Sequence, residues 1–321
     1  MRTMVAQFAS REVAGVEVIL ELGRGDGESE THQAITDSEG YAHFDVALGE
    51  GWRLPERTSW ETVCLRWESD GGEQSINGHV LSPGETADLG IISDVDDTII
   101  ETGITGGVRS LWRNWRRVLQ QMPEQRIAVP GADVFYNALG GGEISDQAPD
   151  APGDRIRATI RPFFYVSSSP WNLFAYLVAF KRLRGLPLGP VQLRDWGLNR
   201  KTFGSSSHGS HKLEAIRHIL TQHARLRFVL IGDDSQGDLI AFSQIAEEFS
   251  ARISAIFIRR VGEDLSAEEL AARSLIEDRG ITLWMGDSFA MEEGFLEDAG
   301  LAHDDAAARV VEATQESPAD G

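Results

Sequence analysis

Three aspartates, Asp94, Asp96 and Asp97, fall within four positions directly after the apolar run Leu89, Gly90, Ile91, Ile92. A second acidic group, Asp233, Asp234 and Asp238, follows another apolar run, RFVLIG. Ser167, Ser168 and Ser169 follow a third, FFYV, and Lys212 precedes the RFVLIG run. Adjacent carboxylates repel, and a cluster of them is tolerated when a hard cation sits among them. These residue types suit a phosphate ester together with a divalent cation. Mg²⁺ takes octahedral oxygen ligands and usually only a few from the protein. An aspartate can attack phosphorus to form an aspartyl-phosphate, which splits hydrolysis into two steps. A carboxylate two residues on can protonate the leaving oxygen and then activate water. A serine hydroxyl and a lysine ammonium can hold phosphoryl oxygens and offset their charge.

Such groups need a scaffold that gathers strand ends. The apolar runs LGIIS, PFFYVS, VQLRDW, RFVLIGD, ISAIFIRR and ITLWMG alternate with helical segments at 106–122, 131–139, 170–184, 211–224, 237–250 and 266–278. Continuous apolar strands alternating with helices predict an α/β domain, a parallel sheet covered on both faces. Ligands bind such sheets at the carboxyl ends of the strands, where all three polar clusters fall. Ser169 followed by Pro170 predicts a helix N-cap, with proline at the first helical position. The N–H groups of that helix would add to an anion site.

Residues 1–87 read differently. GVEVILEL and ETVCLRW are strand-like, and ITDSEGYAHFDVAL reads as two strands about a tight turn at Asp37, Ser38 and Gly40. Short strands, turn signals and no helical period predict a β-sandwich with a structural or docking role. The polar segment 141–155 reads as a loop. The chain is thus divided into a β-sandwich (1–87), an α/β catalytic domain (88–302) and an acidic tail (303–321).

The net charge is −20, from 30 basic and 50 acidic residues among 321. That balance disfavours nonspecific nucleic-acid binding. It also disfavours an anionic membrane, unless a local basic patch acts against the average. One candidate patch is GVRSLWRNWRRVLQQM, 107–122. Its Val108, Leu111, Trp112, Trp115, Val118, Leu119 and Met122 share one helical face. Arg109, Arg113, Arg116 and Arg117 lie opposite. Such a helix can lie on a membrane surface or meet an anionic substrate, or it can pack on a core with its arginines solvated. No run approaches the roughly 18 apolar residues of a transmembrane helix. The single cysteine, Cys64, excludes an intrachain disulfide. With a start that lacks a signal-peptide core, it leads to the expectation of a cytoplasmic protein, peripheral at the membrane if the 107–122 helix binds there.

SDVDDTIIETGIT, FFYVSSSPWNLF, LRDWG, HGSHKLEAIRHIL and FVLIGDDSQGD occur in that order. They resemble the haloacid dehalogenase (HAD) superfamily, and more closely the phosphatidate phosphatase catalytic-domain family, known from the fungal actin-patch phosphatidate phosphatase. The resemblance runs from about residue 89 to 260. It implies a HAD-like Rossmannoid sheet with a small helical cap, Mg²⁺ as cofactor, and hydrolysis of phosphatidate to diacylglycerol and phosphate. By motif, Asp94 would be the nucleophile and Asp96 the general acid/base. Asp94, the backbone carbonyl of Asp96, and Asp233 would hold the metal, with Asp238 in support. Ser167 and Lys212 would bind phosphate. The family commonly reads GDSGxxDPEIY where this chain has GDDSQGDLIAF, so Asp234 adds a charge and Leu239 replaces proline.

Other residues carry plainer readings. Asp97 caps or supports the loop, Thr98 bonds loop backbone, and Trp171 packs. Lys201 rivals Lys212 for the phosphate. His208 and His211, without a third ligand, are weak evidence for zinc and could contact substrate. Two alternatives stay open: the same chemistry on a soluble phosphate ester or phosphoprotein, and a non-hydrolysing scaffold. The oligomeric state is not legible in the sequence.

Overall fold

A computed structural model of the chain describes residues 13–23, 29–38, 40–49, 52–95, 98–99, 129, 132–141, 155–170, 173–194, 208–235, 237–262 and 264–287. Asp96, Asp97, the 107–122 helix with the expected cap, Trp171, Lys201 and the 303–321 tail lie outside these residues.

The chain divides into two units, one of residues 2–86 with 144–158, the other of 87–143 with 159–321. The first unit holds strands β1 (Glu17–Gly23), β2 (Ser29–Ile35), β3 (Ser59–Ser69) and β4 (Gly72–Ser82). They form one antiparallel sheet in the order β2-β1-β3-β4, and β6 (Arg155–Arg157) also pairs with β3. The expected β domain is present, with differences inside it. The turn after β2 forms, closed by the Tyr41 N–H on Asp37 Oδ1 at 2.9 Å, with Gly40 at a φ of 81°. Residues 41–48, expected to be a strand, have no ladder. Instead Phe44 and Val46, with Trp52, pack over Leu20, Leu22 and Val63. This irregular segment supplies a cover for one face of the sheet. Burying those side chains removes apolar area from water without any strand pairing. The end of the polar loop 141–155 enters β6, because its backbone groups find partners on β3 between Ser59 and Glu61.

The second unit is built on a six-stranded sheet in the order β11-β10-β9-β5-β7-β8, parallel throughout. Its strands are β5 (Leu89–Asp94), β7 (Phe163–Pro170), β8 (Val191–Arg194), β9 (Arg227–Asp233), β10 (Ile253–Arg259) and β11 (Thr282–Gly286). The helices are α1 (Ala132–Gly140), α2 (Phe174–Leu183), α3 (His208–Gln222), α4 (Asp238–Phe249) and α5 (Ala267–Asp278). Every residue of β5 is buried, as are the apolar residues of β9 and β10. A strand covered by helices on both faces has no polar face to show, so its sequence runs apolar rather than alternating. β5 is central. The chain builds outward from it through β7 and β8, then returns to its other side with β9. That reversal is the topological switch point, and the crevice of such a sheet opens at the carboxyl ends of the strands there. Asp94 ends β5 at that point.

The helix expected to start at Pro170 begins four residues later. β7 continues through Pro170, and its ladder to β8 shifts between Ser167 and Pro170. Where the ladder breaks, the Ser169 N–H donates to Ser167 Oγ at 3.0 Å. Ser169 is therefore part of a strand irregularity, and α2 starts at Phe174 after Leu173 with no side-chain cap. No described helix is long and apolar enough to cross a membrane, a statement that leaves β-barrels aside.

Candidate active site

Register brings the polar strand ends together. Asp94 of β5 is paired with Val166 of β7, so Ser167 stands one step further along the neighbouring strand. Ser93 is paired with Ile231 of β9, which sets Asp233 just beyond Asp94 on the other side. Gly237, at a φ of 79°, turns the chain from β9 into α4 and delivers Asp238 as the first helical residue. Gly232 makes room for it. A Cβ there would lie 2.5 Å from Asp238 Oδ2, closer than atoms approach.

Asp94, Asp233 and Asp238 are all buried, and one oxygen of each lies within 4.8 Å of the others. Lys212, near the start of α3 and 2% exposed, reaches into this cluster. Its Nζ lies 2.9 Å from Asp94 Oδ1 and also donates to Asp238 Oδ1. Asp238 Oδ2 accepts the Asp233 N–H at 3.2 Å. Asp238 thus has one oxygen on the lysine and the other on the backbone of Asp233, the posture of a group that positions its neighbours. Asp233 Oδ1 accepts from Ser235 N at 2.6 Å and Ser235 Oγ at 2.5 Å. Its Oδ2 accepts from Thr98 Oγ1 at 3.0 Å, and Thr98 Oγ1 is 3.5 Å from Asp94 Oδ2. Thr98 therefore links carboxylates of two strands, rather than bonding loop backbone.

The electrostatics follow from burial. Desolvation, then the Asp238 carboxylate, push Asp233 up to about 7, against the Lys212 charge and the Ser235 hydrogen bonds. Burial alone would lower Lys212, but the Asp238, Asp94 and Asp233 carboxylates outweigh it and raise the ammonium above its ordinary value. Among the described residues one ammonium faces three carboxylates in a desolvated pocket, which leaves the site negative even with Asp233 part-protonated. That is a poor state for a protein by itself and a matched one for a divalent cation. The donors are hard oxygens, so the set fits a hard cation such as Mg²⁺ or Ca²⁺ better than a soft one.

Asp234 does not join the cluster. Its side chain, 4% exposed, turns to the loop after β10. There Oδ1 accepts from Val261 N at 2.6 Å and Gly262 N at 3.0 Å, and Oδ2 from Arg260 Nε at 2.9 Å. The added charge is neutralised by Arg260, away from the Asp94, Asp233 and Asp238 cluster. Leu239, in place of the family's proline, is fully buried in the first turn of α4. Ser167 is fully buried within β7, one step past the rung that pairs Asp94 with Val166. His208 opens α3 and His211 is half-buried beside Lys212. His211 does not belong to the metal-capable cluster found among the described residues.

Ser235, Ser93 and Tyr136 were not singled out from the sequence. Ser235 had a readable signal, since a serine two residues after an aspartate is the pattern of a side-chain-to-backbone turn. Ser93 and Tyr136 had none, because they meet across 43 residues.

A sequence-family model described as the catalytic domain of phosphatidate phosphatase APP1 matches residues 89–260. Phosphatidate phosphatase APP1 of Saccharomyces cerevisiae is 27% identical over 263 residues, covering 81% of this chain and 40% of that protein. An uncharacterized protein of Schizosaccharomyces pombe is 28% identical over 236 residues, covering 71% of this chain and 34% of its own length. The chain therefore spans less than half of the curated relatives it matches.

Proposed function

The chain belongs to the phosphatidate phosphatase APP1 catalytic-domain family, and from that premise we propose that it is a Mg²⁺-dependent phosphatidate phosphatase working through an aspartyl-phosphate. The observation that carries the reading is the Asp94 carboxylate at the switch point of the sheet, held 2.9 Å from the Lys212 ammonium beside Asp233 and Asp238. An Asp94 oxygen attacks phosphorus, and the bond from phosphorus to the ester oxygen breaks. Asp96 gives its proton to the departing oxygen of diacylglycerol. Asp96 then takes a proton from water, which attacks the acyl-phosphate and frees phosphate and the Asp94 carboxylate. Lys212 holds a phosphoryl oxygen, and Ser167 donates to another from the next strand. Asp94 and Asp233, with the Asp96 carbonyl, would hold Mg²⁺, and Asp238 would keep Lys212 and the Asp233 backbone in place. The cation supplies charge neutralisation at the phosphoryl group when bound.

The test is phosphate release by the purified chain with Mg²⁺ from short-chain phosphatidate, lysophosphatidate, sugar phosphates and p-nitrophenyl phosphate, beside Asp94→Asn. Preferential release from phosphatidate, abolished by Asp94→Asn and by chelation, is the expected result. Release from soluble esters alone would keep the chemistry and replace the substrate. Release that survives Asp94→Asn would refute the mechanism.

A further inference from the structure

Ser93 precedes Asp94 on β5 and is completely buried. Its Oγ donates to the Asp94 carbonyl at 2.6 Å and lies 2.7 Å from the Tyr136 hydroxyl. Serine has one hydroxyl proton, and that proton is on the Asp94 carbonyl. Tyr136 must therefore be the donor in the second bond. Burial pushes the Tyr136 phenol above its ordinary range, so it keeps the proton it needs to donate. The result is a directed chain, from Tyr136 O–H to Ser93 Oγ and from Ser93 O–H to Asp94 C=O.

The Tyr136 end of this chain is tightly packed. Tyr136 sits on α1 with no exposed surface and stacks on the Phe163 ring of β7, 5.8 Å between centroids. Phe135 meets it edge-on at 5.8 Å. At the other end the β5 ladder is running out. Its described pairing with β9 stops at Ser93, and its pairing with β7 stops at Asp94. The Ser93 hydroxyl gives the carbonyl at that last rung a hydrogen bond, and a buried carbonyl without one costs about 1–3 kcal/mol. It also fixes a peptide plane. The Asp94 side chain is held by Lys212, but its main chain leads at once into the loop that carries Asp96.

We propose that Tyr136 and Ser93 are positioning residues for the nucleophile: their hydroxyl relay sets the peptide plane of Asp94, and with it the aim of the Asp94 carboxylate at phosphorus. The proposal rests on the phosphatase reading above. Neither hydroxyl touches substrate. Their removal changes how often Asp94 is aimed correctly, so it moves kcat and leaves substrate binding alone. A small misplacement of a reacting group is enough for a large rate effect.

The experiment compares wild type, Tyr136→Phe, Ser93→Ala, the double variant and Asp94→Asn on short-chain phosphatidate and p-nitrophenyl phosphate. Circular dichroism and melting curves establish the temperature at which all are folded. Each single variant should lose about tenfold in kcat with KM within about twofold. The double variant should lose no more than Ser93→Ala, because one relay cannot be broken twice. Full kcat in Tyr136→Phe, losses that multiply in the double variant, or a rise in KM at constant kcat would each overturn the relay. If wild type releases phosphate from neither compound, or Asp94→Asn retains the release, the phosphatase reading falls and the relay falls with it. Wild-type activity that depends on Asp94 but not on Tyr136 overturns the relay alone.

Discussion

Replacing Lys212 by methionine tests the charge balance of the site directly. Methionine is also long and unbranched but carries no charge. In the wild type the ammonium is 2% exposed and shared between Asp94 and Asp238. Removing one partner of a buried ion pair leaves the other charges desolvated and unpaired, which costs about 3–5 kcal/mol. The variant would then hold the three buried carboxylates with no cationic partner among the described residues, a site more negative than that of the wild type. Urea unfolding, followed by fluorescence at pH 8, should show that loss in the presence of a chelator. Millimolar Mg²⁺ should restore most of it. The stabilisation by Mg²⁺ should also exceed that of the wild type by at least about 1 kcal/mol, since a more negative site binds the cation more tightly and linkage converts affinity into stability. On the proposed function, phosphatase activity should nevertheless fall by about 10²–10³, because the group proposed to offset phosphoryl charge is gone. Equal stability of variant and wild type in chelator would refute the reasoning, and so would equal stabilisation of both by Mg²⁺.

Two further outcomes follow from single side chains. Asp234→Ala removes three hydrogen bonds to the 260–262 loop and should cost about 1–3 kcal/mol in urea unfolding. It should leave Mg²⁺ affinity by calorimetry within about twofold; a tenfold loss would put Asp234 in the cation site. Lys181 is almost fully buried on α2, its Nζ 3.7 Å from the centre of the Tyr165 ring and 3.4 Å from the Gly189 carbonyl. Burial lowers it to about 7. Between about pH 7 and the ordinary lysine value the unfolded chain binds the extra proton, so wild-type stability should rise with pH across that window by a few kcal/mol relative to Lys181→Met. Parallel urea-midpoint profiles of the two proteins from pH 7 to about 10 would sink that expectation.

The elements of the α/β unit were readable locally. LGIIS, RFVLIGD and ISAIFIRR are buried strands because a strand covered on both faces must be apolar throughout, and that pattern lies within seven or eight residues. The helices at 131–139, 211–224, 237–250 and 266–278 fall within three residues of their observed bounds for a similar reason. Ser266 and Glu269 even show the reciprocal capping box that starts α5. The N-terminal unit was less legible. β2, SETHQAI, is half-exposed and polar, and β4, GEQSINGHVLS, is mostly exposed. Both are strands because β1 and β3 offer backbone partners, not because their side chains ask for one. The converse held at 41–48, where apolar alternation marked burial and the ladder never formed.

The candidate site divides along the same line. Which residues could do chemistry was written in short motifs: Asp94 and its neighbours after β5, Ser167 after FFYV, Asp233 and Asp238 five apart around a turn. Residue type and local spacing are enough to suggest a cation and a phosphate, because few other ligands justify so much charge at buried strand ends. Where those side chains point was decided only by packing. Asp234 and Asp238 differ by four positions, yet one faces Arg260 and the loop after β10 and the other grips Lys212. Thr98 reaches Asp233 across 135 residues, and Tyr136 reaches Ser93 across 43. Such pairs carry no local periodicity. They exist because the sheet order sets β9 beside β5 and α1 brings Tyr136 to Ser93 of β5 and Phe163 of β7, and strand order is a property of the folded chain.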